Sequence, residues 1–135
     1  MSDLSDKRLE LERLGYVRVN AWQASAVEPE IYAAPPKVDD EGRALAPHHY
    51  VITSLDGVVV GELHFQQGAP SPRWSGVVET TLMQVCAHRL EAHQAGRFSS
   101  REGALQLTKI QEALMWARAR VEDRARRGVF QKPLK

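Results

Sequence analysis

The sequence predicts an α+β fold in which a small N-terminal antiparallel β unit precedes a long antiparallel two-helix hairpin. Alternating polar and apolar residues in the first half predict strands, and two long stretches with helical periodicity predict the hairpin. A chain of 135 residues can bury one core, so 1–135 is predicted as a single domain. Its predicted parts are 1–76, mainly strands and loops with a short helix, the hairpin 77–128, and a tail 129–135.

The first third is predicted to hold one helix and one strand. Leucines at roughly helical spacing predict a helix over residues 4–14, which Gly15 ends. The alternation over 16–22 predicts a strand. Four prolines and an acidic run predict a loop over 24–48, with a short edge strand at Ile31-Tyr32.

A β-hairpin follows this loop. The runs 49–53 and 58–65 are strand-like, and Asp56-Gly57 between them is typical of a tight turn in which glycine takes positive φ. Gly68, Pro70, Pro72 and Gly76 then interrupt the chain before the helices.

The first long helix is predicted over Val77–Gln94 and ends at Gly96. Ser99 and Glu102 form a capping-box pattern that starts the second helix, which runs to about Arg127, and Gly128 closes it. The apolar face of the first helix consists of Val78, Leu82, Val85, Cys86 and Leu90. The seam of the second consists of Leu107, Ile110, Leu114, Ala117 and Val121.

A two-helix hairpin buries little surface alone, so the strands or another copy of the chain must cover its remaining apolar residues. The three tryptophans, Trp22, Trp74 and Trp116, are predicted to be core or interface anchors. Because Trp116 lies off the seam, it is predicted to pack on the β-hairpin or on a second subunit.

Composition narrows the class of protein. Cys86 is the single cysteine, which rules out an intrachain disulfide framework and fits a reducing compartment. No apolar run is long enough to cross a bilayer, and the N-terminus does not resemble a secretory signal, so the cytoplasm is expected.

Charge is distributed unevenly along the chain. Residues 1–48 carry 6 basic and 9 acidic side chains, whereas residues 97–135 carry 10 and 4. Arg120, Arg124 and Arg127 share one helix face, and paired guanidinium donors suit phosphate oxygens. The alternative is salt bridging to Glu122, Asp123 or a neighbouring helix, which spacing alone slightly favours.

The loop between the helices is a second candidate region. Arg97, Arg101 and Lys109 add positive charge around it. Phe98 is either a platform for base stacking or a plug that closes the end of the core.

Catalytic and metal-binding motifs are weak. The five histidines show no HxH, HExxH or CxxC context, and neither a nucleophile elbow nor a glycine-rich phosphate loop is present. The sequence therefore predicts no enzyme, no metal site and no cofactor.

One stretch, SREGALQLTKIQEALMW at 100–116, resembles the helix of the phage Thoeris anti-defence sponges of the first type and of the anti-CBASS sponges that share its hairpin. FQQGAP at 65–70, SGV at 75–77 and DRARRGV at 123–129 fit the Thoeris type as well. The resemblance covers about residues 49–129.

The resemblance implies a non-enzymatic protein that sequesters cyclic nucleotide immune signals intact in the cytoplasm of the infected bacterium. The ligands would be cyclic ADP-ribose isomers and cyclic di- or trinucleotides, held between protomers of a homo-oligomer, a dimer or a hexamer. The family's phosphate-binding arginines fall on Arg120 and Arg124. Its aromatic residue is His93 here and its asparagine is Gly103, which removes an amide and is expected to leave a larger cavity.

Two other functions fit the same features. A nucleic-acid-binding phage regulator would use the basic helix, although the resemblance makes nucleic acid an unexpected partner. An oligomeric phage structural protein would use the hairpin only for assembly. A nucleotide-processing enzyme fits least, because no general base or metal site is evident.

Overall fold

The computed structural model describes residues 4–68 and 73–128 and confirms the predicted α+β class. The chain divides into two compact units, Met1–Gln67 and Gly68–Lys135; the predicted single domain stays a prediction. The predicted tail 129–135 lies outside the described residues. The elements are α1 (Leu4–Arg13), β1 (Val17–Arg18), β2 (Glu30–Ala33), β3 (His49–Thr53), β4 (Val59–His64), α2 (Glu79–Ala95) and α3 (Arg101–Arg126). No helix among the described residues is long and apolar enough to span a membrane.

The first unit is an antiparallel sheet with strand order β1-β2-β3-β4. The predicted β3–β4 hairpin is confirmed, and Gly57 takes a φ of 85° in its turn. The strand predicted at Ile31-Tyr32 is present, but the prediction that it lies at the edge of the sheet is wrong. It belongs to β2, which pairs on both sides, with β1 and with β3.

The predicted strand over 16–22 is much shorter, because a side chain replaces the backbone pairing. The Asn20 carboxamide oxygen accepts from the Ile31 amide at 2.8 Å, and its nitrogen donates to the Pro29 carbonyl at 3.2 Å. Asparagine competes in this way with regular ladders. Trp22, beyond it, is 96% exposed and anchors no core within the described residues.

Helix α1 covers one face of this sheet, and the core lies between them. Leu11, Tyr32 and Val51 are buried together, with Tyr16 packed against them. Tyr32 and Val51 are cross-strand partners, so they present the same face to the helix.

An ion-pair cluster at this face joins α1 and β1 to β2. Glu30 is 1% exposed, and its carboxylate accepts hydrogen bonds from the Arg8 guanidinium and from the Tyr32 hydroxyl, at 2.6 Å from the latter. Arg18 Nε lies 3.2 Å from Glu30 Oε2. The hydrogen bonds from Arg8, above all, lower the pKa of Glu30 to about 2.

The second unit contains the predicted antiparallel helix pair, with bounds within two residues of those expected. Leu107, Ile110, Leu114 and Ala117 are partly buried along α3, as predicted, whereas Val121 is exposed. The predicted face of α2 is wrong at Val85, which is 54% exposed, and at Cys86. Leu82 and Leu90 are partly buried, as predicted, and the inward positions that the prediction missed are Met83, Ala87 and Gln94.

The face of α2 is set by steric fit. Ala87 is the one fully buried residue described in this helix, and a small side chain there lets the two helix backbones approach closely. Steps of four, three and four residues from Met83 to Gln94 keep one stripe against α3. Cys86 flanks that stripe and Val85 lies on the opposite face of the helix, so hydrophobicity alone misplaced them.

Acid should destabilise the first unit through Glu30. Its pKa in the folded protein lies below the ordinary value of 4.5, so its contribution is present above about pH 4.5 and is lost as pH falls toward 2. We expect this contribution to be on the order of 2 kcal/mol, since the partly exposed Arg8 and Arg18 are screened by solvent. Urea unfolding measured across this pH range should show the loss in the wild type and little of it in Glu30→Gln.

The matched control is Glu10→Gln, which removes an exposed carboxylate on α1 that pairs with Lys7. Its unfolding free energy should stay within about 0.5 kcal/mol of the wild type. An acid profile of Glu30→Gln that matches the wild type would contradict the role of this cluster.

Candidate functional site

An open groove of about 410 Å³ lies where α2 turns into α3. Both helices and their connection contribute to its walls. The lining residues are Cys86, Arg89, Leu90, His93, Gln94, Phe98, Ser100, Gly103, Gln106 and Ile110. The groove therefore combines apolar, aromatic, amide and cationic groups, the mixture expected of a small-molecule site.

The turn beside this groove is held by a side chain of α2. Gln94 Oε1 accepts from the Ser100 amide at 3.0 Å, and Gln94 Nε2 donates to the Ser100 carbonyl at 2.9 Å. The Ser100 hydroxyl in turn accepts from the Gly103 amide at 2.9 Å. Ser100 is therefore the N-cap of α3.

The predicted capping box on Ser99 and Glu102 is wrong by one residue. With Ser100 as the N-cap, the third helical position is Gly103, which has no side chain to reach back. Gln94 accepts the Ser100 amide proton in its place. The N-cap of α3 thus consists of Ser100 together with the Gln94 side chain of α2.

Gly103 is buried because the Gln94 side chain lies directly against it. A Cβ at this position would lie 2.6 Å from Gln94 Oε1 and 3.0 Å from the Ser100 hydroxyl. The expected larger cavity at Gly103 is therefore wrong, since a carboxamide occupies that space. Gln94 is not predicted from the sequence, where its only signal is that it is a polar residue at the inward spacing of α2.

His93 and Phe98 form an aromatic wall of the groove. Their ring centroids are 6.1 Å apart with an interplanar angle of 49°. The Arg97 guanidinium lies 5.1 Å from the Phe98 centroid, within the range of a cation–π contact. Phe98 is 65% exposed, so it does not plug the core and offers an open ring face.

The other predicted cations do not line this groove. Arg101 is exposed on the first turn of α3. Lys109 lies 3.7 Å from Glu112 and borders a second, shallower groove with Glu102 and Leu105. The cation that does line the first groove is Arg89, which sequence analysis missed; it lies one helical turn before His93.

Arg120 and Arg124 lie near the far end of α3. Seventeen residues separate Gly103 from Arg120, which is about 25 Å at the helical rise of 1.5 Å per residue. Helix α3 is also nine residues longer than α2 (26 against 17), so this end extends past the start of α2. Within one chain, the groove and the arginine pair are separate.

The neighbouring arginines use the predicted alternative of salt bridging. Arg127 Nε lies 3.0 Å from Asp123, and Arg126 lies 3.8 Å from the same carboxylate. Arg120 is exposed on the helix surface, and Arg124 is half-buried with contacts of its own. The arginines predicted to bind phosphate, Arg120 and Arg124, are therefore not the two that pair with Asp123.

A β unit followed by a helical hairpin, with a groove at the turn and arginines at the far end, defines a small α+β hairpin protein. Residues 62–122 match the family described as Acb2/Tad1, hairpin domain. The chain is also similar to the protein named Thoeris anti-defense 1 of Bacillus phage SBSphiJ7, with 28% identity over 109 residues that cover 62% of this chain and 77% of that protein.

These matches confirm the resemblance that the sequence motifs indicate. Residues 62–122 resemble an Acb2/Tad1 hairpin domain, and the chain is similar to a Thoeris anti-defence protein of a phage. Arg120 lies inside the matched segment and Arg124 lies two residues beyond it.

Gly103→Ala should fail to give the stabilisation that this change usually gives in a helix. The alanine methyl would displace Gln94 and cost its hydrogen bonds, which offsets a propensity gain of up to about 1 kcal/mol. In a Gln94→Ala background the space is free, and the same change should then stabilise the protein. Urea unfolding of the four proteins in this double-mutant cycle measures the coupling; additive effects would contradict the proposed contact.

Proposed function

We propose that this protein is a phage anti-defence sponge that binds cyclic nucleotide immune signals and sequesters them intact in the cytoplasm of the infected bacterium. The ligands we propose are cyclic ADP-ribose isomers and cyclic di- or trinucleotides. The observation that supports this function best is the groove at the turn of an Acb2/Tad1 hairpin, with aromatic and amide groups beside it. Thoeris anti-defense 1, the similar phage protein, carries the anti-defence role in its name.

The chemistry of the groove suits a nucleobase. The rings of His93 and Phe98 offer faces for stacking, which is worth about 1–3 kcal/mol per base. The Gln106 side chain on the α3 wall offers its amide N–H groups and its carbonyl oxygen to a base. Gln94 offers one N–H and one oxygen lone pair that its hydrogen bonds to Ser100 do not use. Arg89 adds a donor for a ribose or phosphate oxygen.

The phosphates require a second copy of the chain. A cyclic nucleotide held at the turn end of the groove is too short to span the 25 Å or so between Gly103 and Arg120 within one chain. Two copies of α3 packed antiparallel, crossing near residues 111–112, would bring Arg120 and Arg124 of one copy to the groove of the other. We therefore propose a homo-oligomer with the ligand between protomers.

Exposed apolar residues support this arrangement. Met115 and Trp116 are each 71% exposed, and they lie about one turn from the proposed crossing point. Burying large side chains such as these stabilises protein interfaces.

Sequestration needs binding alone. We therefore propose that the ligand leaves unchanged and that the protein is not an enzyme.

A cyclic ADP-ribose isomer or a cyclic dinucleotide should raise the melting temperature of the protein and be recovered intact after denaturation. Arg120→Ala with Arg124→Ala should weaken binding, measured by calorimetry, at least about tenfold, because each removes a charge-assisted hydrogen bond of about 1.5–3 kcal/mol. The matched control, Arg126→Ala with Arg127→Ala, removes the same charge from the same helix end and should bind normally.

Other outcomes identify the alternatives. A nucleic-acid regulator would bind duplex DNA with strong salt dependence. Its affinity for DNA should fall equally in both double-arginine variants, because that affinity depends on the number of positive charges. A structural protein would show no stabilisation by any nucleotide. Conversion of the ligand would identify an enzyme.

Mixing two inactive variants should restore binding if the site lies between protomers. The first variant carries His93→Ala and Phe98→Ala; the second carries Arg120→Ala and Arg124→Ala. A mixed dimer contains one site with all four substitutions and one site with none, so calorimetry of the co-refolded mixture should recover tight binding at a reduced stoichiometry. A site within one chain would give no recovery.

A further inference from the structure

A cluster of metal-ligating side chains lies on the β-hairpin of the first unit. His49 and His64 are direct cross-strand partners on β3 and β4, and Glu62 precedes His64 by two residues, on the same face of the sheet. The donor atoms that the three side chains offer all lie within 4.8 Å of one another. His49 Nε2 and His64 Nε2 lie 3.1 and 3.8 Å from Glu62 Oε2.

Tyr16 holds the first of these histidines in place. Its hydroxyl lies 2.6 Å from His49 Nδ1, and the two rings meet edge to face. Tyr16 itself packs against the core. With Nδ1 bonded to this hydroxyl, Nε2 is directed to the side where Glu62 and His64 lie.

This arrangement matches how proteins build transition-metal sites. Two imidazoles and one carboxylate form a known zinc-binding set, and a ligating histidine usually has its other ring nitrogen bonded to a fixed partner. Tyr16 can be that partner, because a phenol oxygen accepts a hydrogen bond from Nδ1–H when Nε2 binds metal. Imidazole ligands favour zinc, copper or nickel over magnesium and calcium.

We propose that His49, Glu62 and His64 bind one divalent transition-metal ion of the zinc class, with a fourth position open to solvent. Zinc bonds of about 2.0–2.2 Å require the donor atoms to approach somewhat more closely than they do now. Exposed side chains can make that adjustment: His64 and Glu62 are on the surface, while His49 is fixed by Tyr16. The ion would join β3 to β4.

A local ion-pair cluster is the competing explanation, since a protonated His49 or His64 would pair with Glu62 without any metal. The ion-pair explanation predicts that the cluster does not bind zinc. The site lies in the β unit and its binding test uses zinc alone, so its failure leaves the proposed sponge function untouched.

Titration of the full chain with Zn²⁺, followed by calorimetry, tests the proposal. We expect one ion per chain, and at least about tenfold weaker binding in His64→Ala and in Glu62→Gln, both surface changes that leave the core intact. His88→Ala, which removes an exposed histidine of α2 outside the cluster, should bind as the wild type does. Tyr16→Phe keeps the packed ring and should weaken binding about tenfold through loss of the hydrogen bond to His49.

The exposed thiol of Cys86 is the other zinc ligand to separate. Co²⁺ bound at His49, Glu62 and His64 should show visible d–d bands without a thiolate charge-transfer band, and Cys86→Ser should leave the spectrum unchanged. Stoichiometric binding that survives His64→Ala, binding that is lost in Cys86→Ser, or no binding at all would overturn the proposal.

Discussion

The connection between α2 and α3 is only five residues long, and the start of α3 presents amide groups that its own turn cannot satisfy. In this protein the Gln94 side chain from the preceding helix bonds both the amide and the carbonyl of Ser100. That contact fixes the end of α2 against the beginning of α3, so it sets the register of the helix pair. The groove and its aromatic wall both depend on this register.

The Gln94 side chain can lie where it does only because residue 103 is a glycine. An amide on the α3 side of the turn, as the family resemblance implies for position 103, would occupy the space that the Gln94 carboxamide fills here. Glycine at 103 moves the amide to α2 and keeps a carboxamide at the wall of the groove. We interpret the departure from the family pattern as an exchange of position, in which the groove wall retains amide donors and acceptors but carries them on a different helix.

Periodicity and turn residues predicted the existence and order of the helices and of the β-hairpin, because those signals are local. The errors came from side chains that act at a distance. Asn20 shortened β1 by bonding the backbone of β2, and Gln94 moved the N-cap of α3 from Ser99 to Ser100. Position 49 gave no metal signal, because its partners in the cluster are set by strand register rather than by spacing along the chain. Of the groove lining, Phe98 was predicted from its place in the loop and His93 and Gly103 from the family resemblance, whereas Arg89 and Gln94 were missed.

The length of α3 has a consequence for how a sponge of this kind would work. If groove and arginines meet only across an antiparallel contact, each copy gives its arginines to its partner and receives the partner's in return, so a two-fold dimer holds two equivalent sites. Ligand that binds only the assembled form also favours assembly by mass action. Capture would then strengthen the dimer that performs it, and the apolar surface at Met115 and Trp116 would be covered most fully when the signal is abundant.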